Sequence, residues 1–234
     1  MPTPLLPAIE LTTGHDPHGT VIWMHGLGAD GSDFVPVVRE LGLPEEKPLR
    51  FIFPHAPMRP VAINNGFVTR AWFDMGMGSP SGLIMPGRAA RPSVWSSEAH
   101  IRESQVAIET LIEREVARGI SAEKIVLAGF SQGGVIALHT ALRCRRKLAG
   151  VMALSTYLAL AESLPAERQE VNAAISIFMA HGRQDDIIPL QAATSSRDRL
   201  TSLGYVVEWH EYPMPHSVCM EEVEAIGDWL QKVL

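Results

Sequence analysis

Short apolar runs recur along the chain and alternate with longer amphipathic segments. The runs are continuous in hydrophobicity, which is typical of strands that are covered on both faces of a parallel sheet. A later stretch, from Tyr205 to Tyr212, mixes apolar and polar residues and favours a strand nearer a sheet edge. The buried strands are predicted at residues 20–25, 49–53, 124–128, 150–154 and 175–180.

The segments between these runs carry helical patterns. One of them has an apolar stripe formed by Ile101, Ile108, Leu111, Ile112 and Val116. Gly119 stands where the C-terminal cap of that helix belongs. Further helices are predicted at 135–143, 190–203 and 218–234, the last capped by Ser217. Strands that alternate with helices predict an α/β fold, with a mostly parallel central sheet and helices on both faces.

Residues 54–97 break this alternation. The segment is rich in Pro, Gly and Met and shows no clear helical or strand period. Loops of this length in compact domains are usually functional or disordered. We therefore expect a single domain spanning residues 1–234, in which 54–97 forms a long, lid-like loop.

Composition narrows the classes of function. The chain has 234 residues and a formal net charge of −6, so a general affinity for nucleic acid or anionic membranes is not expected. No stretch is long and apolar enough to span a bilayer, so stable membrane insertion is not expected either. The two cysteines, Cys144 and Cys219, and the lack of a signal sequence lead us to expect a cytoplasmic protein.

The pentapeptide from Gly129 to Gly133 matches the G-x-S-x-G motif and places Ser131 at its centre. An apolar strand leads into it and a predicted helix leaves it, which is the strand–turn–helix setting that the motif requires. The flanking glycines permit a turn too sharp for larger side chains. Ser131 is therefore the candidate nucleophile.

A serine hydroxyl needs an adjacent base, and in this kind of fold the order along the chain is Ser, then Asp or Glu, then His. His216 lies in a loop between the last strand and the last helix and is the candidate base. Asp185 and Asp186 both follow a strand, and their position alone does not choose between them. His181 precedes both carboxylates and is predicted to be structural, while His210 lies within a strand pattern.

A glycine-rich segment at 25–31 follows the first strong strand. The backbone N–H groups of Leu27 and Gln132 are the expected oxyanion-hole donors, and His25 is expected to make structural hydrogen bonds in the turn. A zinc site would have to combine His181, Asp185, His210 and His216. Their spacing fits no zinc pattern, so neither a metal nor a cofactor is expected.

These segments together resemble the phospholipase/carboxylesterase family of α/β-hydrolases, which includes bacterial carboxylesterases and acyl-protein thioesterases. The matching segments are 25–30, 53–57, 70–74, 129–134, 148–151 with 153–155, 181–189 and 214–217. The resemblance implies Asp185 as the acid, and it also implies Leu27 and Gln132 as the oxyanion donors. The chain departs from the family pattern at 64–66 and in a longer stretch at 76–94, so substrate preference is the least transferable inference.

The combined interpretation is a serine carboxylesterase that hydrolyses small to medium apolar acyl esters through an acyl-enzyme intermediate. The alternatives are an acyl-protein thioesterase or lysophospholipase and, outside this class, a non-catalytic binding protein that kept the fold. The expected partner is a small-molecule ester or thioester, and a homodimer is left open. The predicted apolar substrate wall comprises Trp72, Phe73, Met75, Leu83 and Met85.

Overall fold

A computed structural model of the protein describes residues 5–77 and 94–234. The strands are β1 (Ala8–Thr12), β2 (Gly19–Met24), β3 (Leu49–Pro54), β4 (Met58–Val61), β5 (Phe67–Arg70), β6 (Met75–Met77), β7 (Val94–Ser96), β8 (Ile125–Phe130), β9 (Gly150–Leu154), β10 (Ser176–Gly182) and β11 (Val207–Tyr212). The α-helices are α1 (Glu98–Ala117), α2 (Gln132–Arg143), α3 (Leu164–Glu167), α4 (Leu190–Ser202) and α5 (Met220–Val233). Short 3-10 helices cover Val35–Glu40, Ala62–Asn64, Ala122–Lys124 and Glu170–Asn172.

Seven strands form the main sheet in the order β1-β3-β2-β8-β9-β10-β11. Every neighbouring pair is parallel except β1 with β3, which is antiparallel. The prediction of a mostly parallel central sheet is therefore confirmed. Because parallel strands end at the same edge, the loops after β2, β8, β10 and β11 all leave that edge.

Side chains alternate between the two faces of the sheet and fill two separate cores. In β2, Ile22 and Met24 pack against the helices α1 and α2, whereas Val21 and Trp23 pack against α5 and the helix at Val35–Glu40. All of β2 is buried. Burial on both faces explains why the sequence shows continuous apolar runs in place of a period of two.

Two helices end as the sequence predicts and one begins differently. Gly119 and Gly204 follow α1 and α4 with φ of 96° and 91°. The predicted cap of the last helix is wrong: α5 begins at Met220, and its N-cap residue is Cys219. Ser217 belongs to the preceding turn, because its backbone N–H donates to the carbonyl oxygen of Pro215 at 2.8 Å.

Residues 54–97 contain more regular structure than the sequence predicts. Strands β4 and β5 form an antiparallel hairpin, and β6 pairs with β7. The strands are three or four residues long, too short for a hydrophobic period to be recognised. Backbone pairing, which the residue pattern does not report, defines them. The sequence also does not predict the edge strand β1, whose five residues are only partly buried and form no continuous apolar run.

A buried carboxylate joins α1 to the sheet at the edge where β2 and β3 begin, opposite the loops after β2, β8, β10 and β11. Glu115 is fully buried, and its Oε2 accepts from Arg50 Nη1 at 2.7 Å and from Thr20 Oγ1 at 3.1 Å. Its Oε1 accepts from Arg114 at 3.2 Å and from Arg118 at 3.1 Å. Thr20 lies in β2 and Arg50 in β3, so this carboxylate connects one helix to two neighbouring strands.

We expect Glu115→Gln to lower the free energy of unfolding by about 3 kcal/mol, because Arg50 would lose its buried counter-charge. Urea denaturation measures the change. The matched control is Glu113→Gln, which removes an exposed 2.8 Å pair with Arg146 and should cost much less stability, because water screens exposed ion pairs. Equal stability of the two variants would contradict the role given to Glu115.

Candidate active site

Ser131 occupies the sharp turn between β8 and α2 that the glycine pattern predicts. Its φ of 54° and ψ of −120° lie outside the regions that residues with side chains usually adopt. A Cβ on Gly129 would come within 2.3 Å of the Gly133 carbonyl group, and one on Gly133 within 2.3 Å of Met24 O. Only glycine fits at either position, so this turn depends on the motif.

Two further hydrogen bonds hold the backbone of Ser131. Its N–H donates to Leu154 O at 2.8 Å, and its carbonyl oxygen accepts from Thr156 Oγ1 at 2.7 Å. The side chain lies at the centre of the sheet edge, where 9% of the residue's surface is exposed. The serine is thus held in a strained conformation by the strand β9 and the residues that follow it.

The structure brings Asp185 and His216 together. His216 Nδ1 lies 2.7 Å from Asp185 Oδ2, while Asp185 Oδ1 accepts from the backbone N–H groups of Ile187 and Ile188 at 2.9 and 2.8 Å. Asp185 is buried, whereas Asp186 is exposed. These three hydrogen bonds hold the carboxyl group in place and orient the histidine ring.

The ring of His216 also packs against Phe130, the residue before Ser131, with the ring centroids 4.8 Å apart. The structure therefore places the histidine beside the serine turn. Among the described residues, Ser131 Oγ makes no hydrogen bond to His216. Catalytic hydrogen bonds of this kind are often long before substrate binds.

A second histidine, His181, contacts the same carboxylate, and the sequence does not predict this contact. His181 is fully buried, and its Nε2 lies 2.8 Å from Ile188 O and 3.3 Å from Asp185 Oδ2. Since both neighbours are acceptors, Nε2 must carry the proton. The four-residue spacing between His181 and Asp185 is the only sequence signal of this contact. His210 lies apart on β11, half-buried and 3.1 Å from Glu208.

His25 makes the structural hydrogen bonds expected of it. Its Nε2 accepts from the backbone N–H of Ala56 at 3.1 Å, so Nδ1 carries the proton and donates to Gly26 O at 2.7 Å. Burial lowers the pKa of His25 and keeps the ring neutral. The loop that follows is anchored by the N–H of Gly28, which donates to Arg70 O at 2.9 Å.

The backbone N–H groups of Leu27 and Gln132 are both available at this edge. No described residue accepts a hydrogen bond from either of them. Leu27 follows β2 and Gln132 begins α2, whose first N–H groups have no partner within the helix. The loop after β2 lies beside the serine turn, since a Cβ on Gly26 would come within 3.5 Å of Ser131 Cβ.

The residues predicted to form the substrate wall divide into three groups. Trp72 and Phe73 are fully buried in the core beneath α1 and α2, so they present no surface to a ligand. Met75 is half-buried at the margin of that core. Leu83 and Met85 lie outside the described residues. The burial of the aromatic pair follows from its hydrogen bonds and packing, which hydrophobicity alone does not reveal.

Exposed apolar side chains lie on a hairpin that contacts the loop after β2. On the hairpin of β4 and β5, the side chains of Met58, Phe67 and Val68 are 58%, 70% and 51% exposed. The hairpin meets the loop after β2 through Arg70, and a cavity of 430 Å³ lies between them. That cavity is lined by Gly28, Ala29, Asp30, Ser32, Asp33, Met58, Thr69 and Arg70.

The part of the chain that the structure describes contains neither a candidate metal site nor a membrane-spanning helix. Within residues 5–77 and 94–234, no group of three or more His, Cys, Asp or Glu side chains could hold a metal ion. No helix in those ranges is long and apolar enough to cross a membrane.

The sheet order and the serine turn define an α/β-hydrolase. Residues 8–234 match the family model described as phospholipase/carboxylesterase. Acyl-protein thioesterase 1 of Neurospora crassa is 38% identical over 239 residues, which cover 100% of this chain and 92% of the relative. The chain therefore belongs to the phospholipase/carboxylesterase family and is a hydrolase.

Solved structures agree with this membership. Acyl-protein thioesterase 2 of Zea mays superposes with a TM-score of 0.81 at 25% identity, covering 97% of this chain and 98% of that one. SOBER1 of Arabidopsis thaliana gives a TM-score of 0.80 at 27% identity, covering 92% and 98%. Two of these three proteins are named acyl-protein thioesterases.

The helix that follows the His216 loop carries a buried carboxyl group. Glu222 is fully buried, and neither of its oxygens has a hydrogen bond of good geometry to a described residue. Burial raises the pKa of Glu222 from 4.5 to about 8, and the nearby backbone N–H of Cys219 offsets only part of that effect. Near neutral pH the folded protein therefore keeps this carboxyl protonated.

Stability should consequently fall as the pH rises. Between pH 4.5 and about 8 the unfolded chain loses the Glu222 proton while the folded protein keeps it, which costs about 1.4 kcal/mol per pH unit. We expect Glu222→Gln to lose less stability than the wild type over this range, as measured by urea denaturation at several pH values. Glu224→Gln, an exposed change on the same helix, is the control. Parallel profiles for wild type and Glu222→Gln would contradict the expectation.

Proposed function

We propose that the protein is a serine hydrolase of acyl thioesters that also accepts oxygen esters. Ser131 is the nucleophile, His216 the general base and Asp185 the acid that orients it. The observation that carries this proposal is the 2.7 Å hydrogen bond between His216 Nδ1 and Asp185 Oδ2, beside a strained serine turn. Asp185 follows β10 and His216 follows β11, so both side chains lie at the carboxyl edge of the sheet with Ser131.

Hydrolysis then follows two steps of acyl transfer. His216 Nε2 takes the proton of Ser131 Oγ as that oxygen bonds to the acyl carbonyl carbon, and the imidazolium is stabilised by Asp185. The carbonyl π electrons move to the oxygen, which accepts from the N–H groups of Leu27 and Gln132. When the tetrahedral intermediate collapses, the bond to the leaving thiol or alcohol breaks and His216 protonates that group.

Water completes the cycle. His216 removes a proton from water as the water oxygen attacks the acyl-enzyme carbonyl, and the Ser131 oxygen leaves with that proton. The carboxylic acid is released and the serine hydroxyl is restored. The first N–H groups of α2 favour the negative charge that develops in both steps. Cys219 has no nucleophilic role in this scheme, since burial raises the pKa of its thiol and keeps it protonated.

Two observations support a thioester with an apolar acyl chain. The Neurospora crassa relative, similar along the whole chain, is named acyl-protein thioesterase 1. The exposed Met58 of the β4–β5 hairpin lines the cavity beside the loop that carries Leu27, and the exposed Val68 lies on the same face of the hairpin. Flexible thioether and branched side chains can cover acyl groups of different length. We therefore assign the hairpin the apolar contact that the sequence analysis gave to Trp72 and Phe73.

Substitution of the proposed triad tests the mechanism. We expect Ser131→Ala to lower kcat by about 10⁴-fold or more, and Asp185→Asn by about 10³-fold or more because the histidine would adopt the wrong tautomer. Asp186→Asn is the matched control and should leave kcat near the wild-type value, since that carboxylate is exposed. Steady-state kinetics on an octanoyl thioester gives these values. Activity that survives in Ser131→Ala, or that is lost only in Asp186→Asn, contradicts the assignment.

Chain-length profiles test the substrate class. With S-acyl and O-acyl series from acetyl to dodecanoyl, kcat/KM should be higher for the thioester of each pair. It should rise by up to about fourfold per CH₂, equivalent to about 0.8 kcal/mol. Met58→Ser combined with Val68→Ser should flatten that rise, whereas Val206→Ser, an exposed change beside β11 at the other edge of the sheet, should not. A profile that the double variant leaves unchanged would contradict the role of the hairpin.

A further inference from the structure

The two proposed oxyanion donors belong to separate segments of the chain. Leu27 lies in the loop after β2, and Gln132 is the first residue of α2. A transition-state oxygen is stabilised only when both donors lie about 2.7–3.1 Å from it. The pairing of β2 with β8 ends at Met24 and Gly129, before either donor residue. Other contacts must therefore fix the distance between the two donor segments.

A continuous chain of hydrogen bonds connects these segments. The side chain of Gln132 accepts from the backbone N–H of Trp72 at 2.7 Å and donates to Phe73 O at 2.8 Å. The indole Nε1 of Trp72 in turn donates to His25 O at 2.9 Å. His25 precedes Leu27 by two residues, so the connection runs from one donor residue through Trp72 to the loop of the other.

Each member of this chain is buried. Gln132, Trp72 and His25 are 3%, 0% and 1% exposed, so water does not compete for their hydrogen bonds and the low local dielectric strengthens them. The carbonyl oxygen of Trp72 accepts from Ser104 Oγ at 2.6 Å, which holds the tryptophan to α1. A shift of the indole would therefore move the carbonyl group of His25 with it.

We propose that Trp72 and the side chain of Gln132 are positioning residues for the oxyanion hole. They set the separation of the Leu27 and Gln132 backbone donors without touching the reacting atoms. This inference rests on the proposed function, in which those two N–H groups stabilise the tetrahedral intermediate. It gives the buried tryptophan a role in catalysis that differs from the substrate contact predicted from the sequence.

Trp72→Phe removes the indole donor while an aromatic ring still fills the site. We expect kcat to fall by on the order of 10-fold with KM nearly unchanged, since the displaced donor serves only the transition state. Affinity for an octyl trifluoromethyl ketone, to which Ser131 adds to leave an oxyanion, should fall by the same factor. Trp23→Phe is the matched control: Trp23 is equally buried, and its Nε1 has no hydrogen-bond partner among the described residues.

Trp23→Phe should change neither kcat nor the affinity for the ketone. The inference is overturned when Trp72→Phe keeps wild-type kcat and ketone affinity, or when it changes only KM or thermal stability, as a packing role would. If Trp72→Phe does not fold, Gln132→Met decides by the same two readouts, because it removes both side-chain hydrogen bonds and keeps the backbone donor. Loss of activity in Ser131→Ala, measured in parallel, separates failure of this inference from failure of the proposed function.

Discussion

The close approach of helix α2 to strands β2 and β8 is the constraint on which the site depends. Gly133 lies so near Met24 O, and Gly129 so near Gly133, that no Cβ could be added to either glycine. This approach forces the backbone of Ser131 into its strained turn and brings the start of α2 against the end of β2, just before the loop that carries Leu27. Backbone contact therefore fixes the serine turn itself, on which the proposed hydrolytic site is built.

Buried charge is handled in two different ways at the two ends of the sheet. At the end where β2 and β3 begin, Glu115 is surrounded by arginines and Thr20, which compensate its burial and attach α1 to the strands. At the end where the strands finish, Asp185 is compensated by two backbone N–H groups and by His216. The first arrangement holds the fold together, while the second leaves one face of the histidine ring beside the serine turn.

The choice between ester and thioester substrates depends on groups outside the proposed triad and oxyanion hole. The proposed triad and oxyanion donors serve both reactions equally, since each passes through the same tetrahedral oxyanion. Because a matched ester and thioester carry the same acyl chain, discrimination between them must come from groups that contact the leaving group. The exposed Met58 and Val68 of the β4–β5 hairpin, to which we assign the acyl chain as a proposal, would act on chain length and not on this choice.

Local sequence determined the six mutually parallel strands of the main sheet, the four longer α-helices and the candidate nucleophile. Continuous apolar runs arise because both faces of the sheet are covered, and the glycines around Ser131 are required by the turn itself. These features depend on neighbours within a few residues, so they are visible in the chain alone. The resemblance to a known family added Asp185 in preference to Asp186, a choice that the pattern of the residues did not make.

Tertiary structure alone decided the rest. The short strands β4 to β7 exist through pairing with partners distant in sequence, and Trp72 is buried because Gln132, His25 and Ser104 bind it from three other segments. The contact of His181 with Asp185 likewise depends on how the loop after β10 folds back. The local sequence indicates the conformation and the hydrophobic pattern of a segment. The burial and the hydrogen-bond partners of a residue depend on segments that meet only in the folded chain.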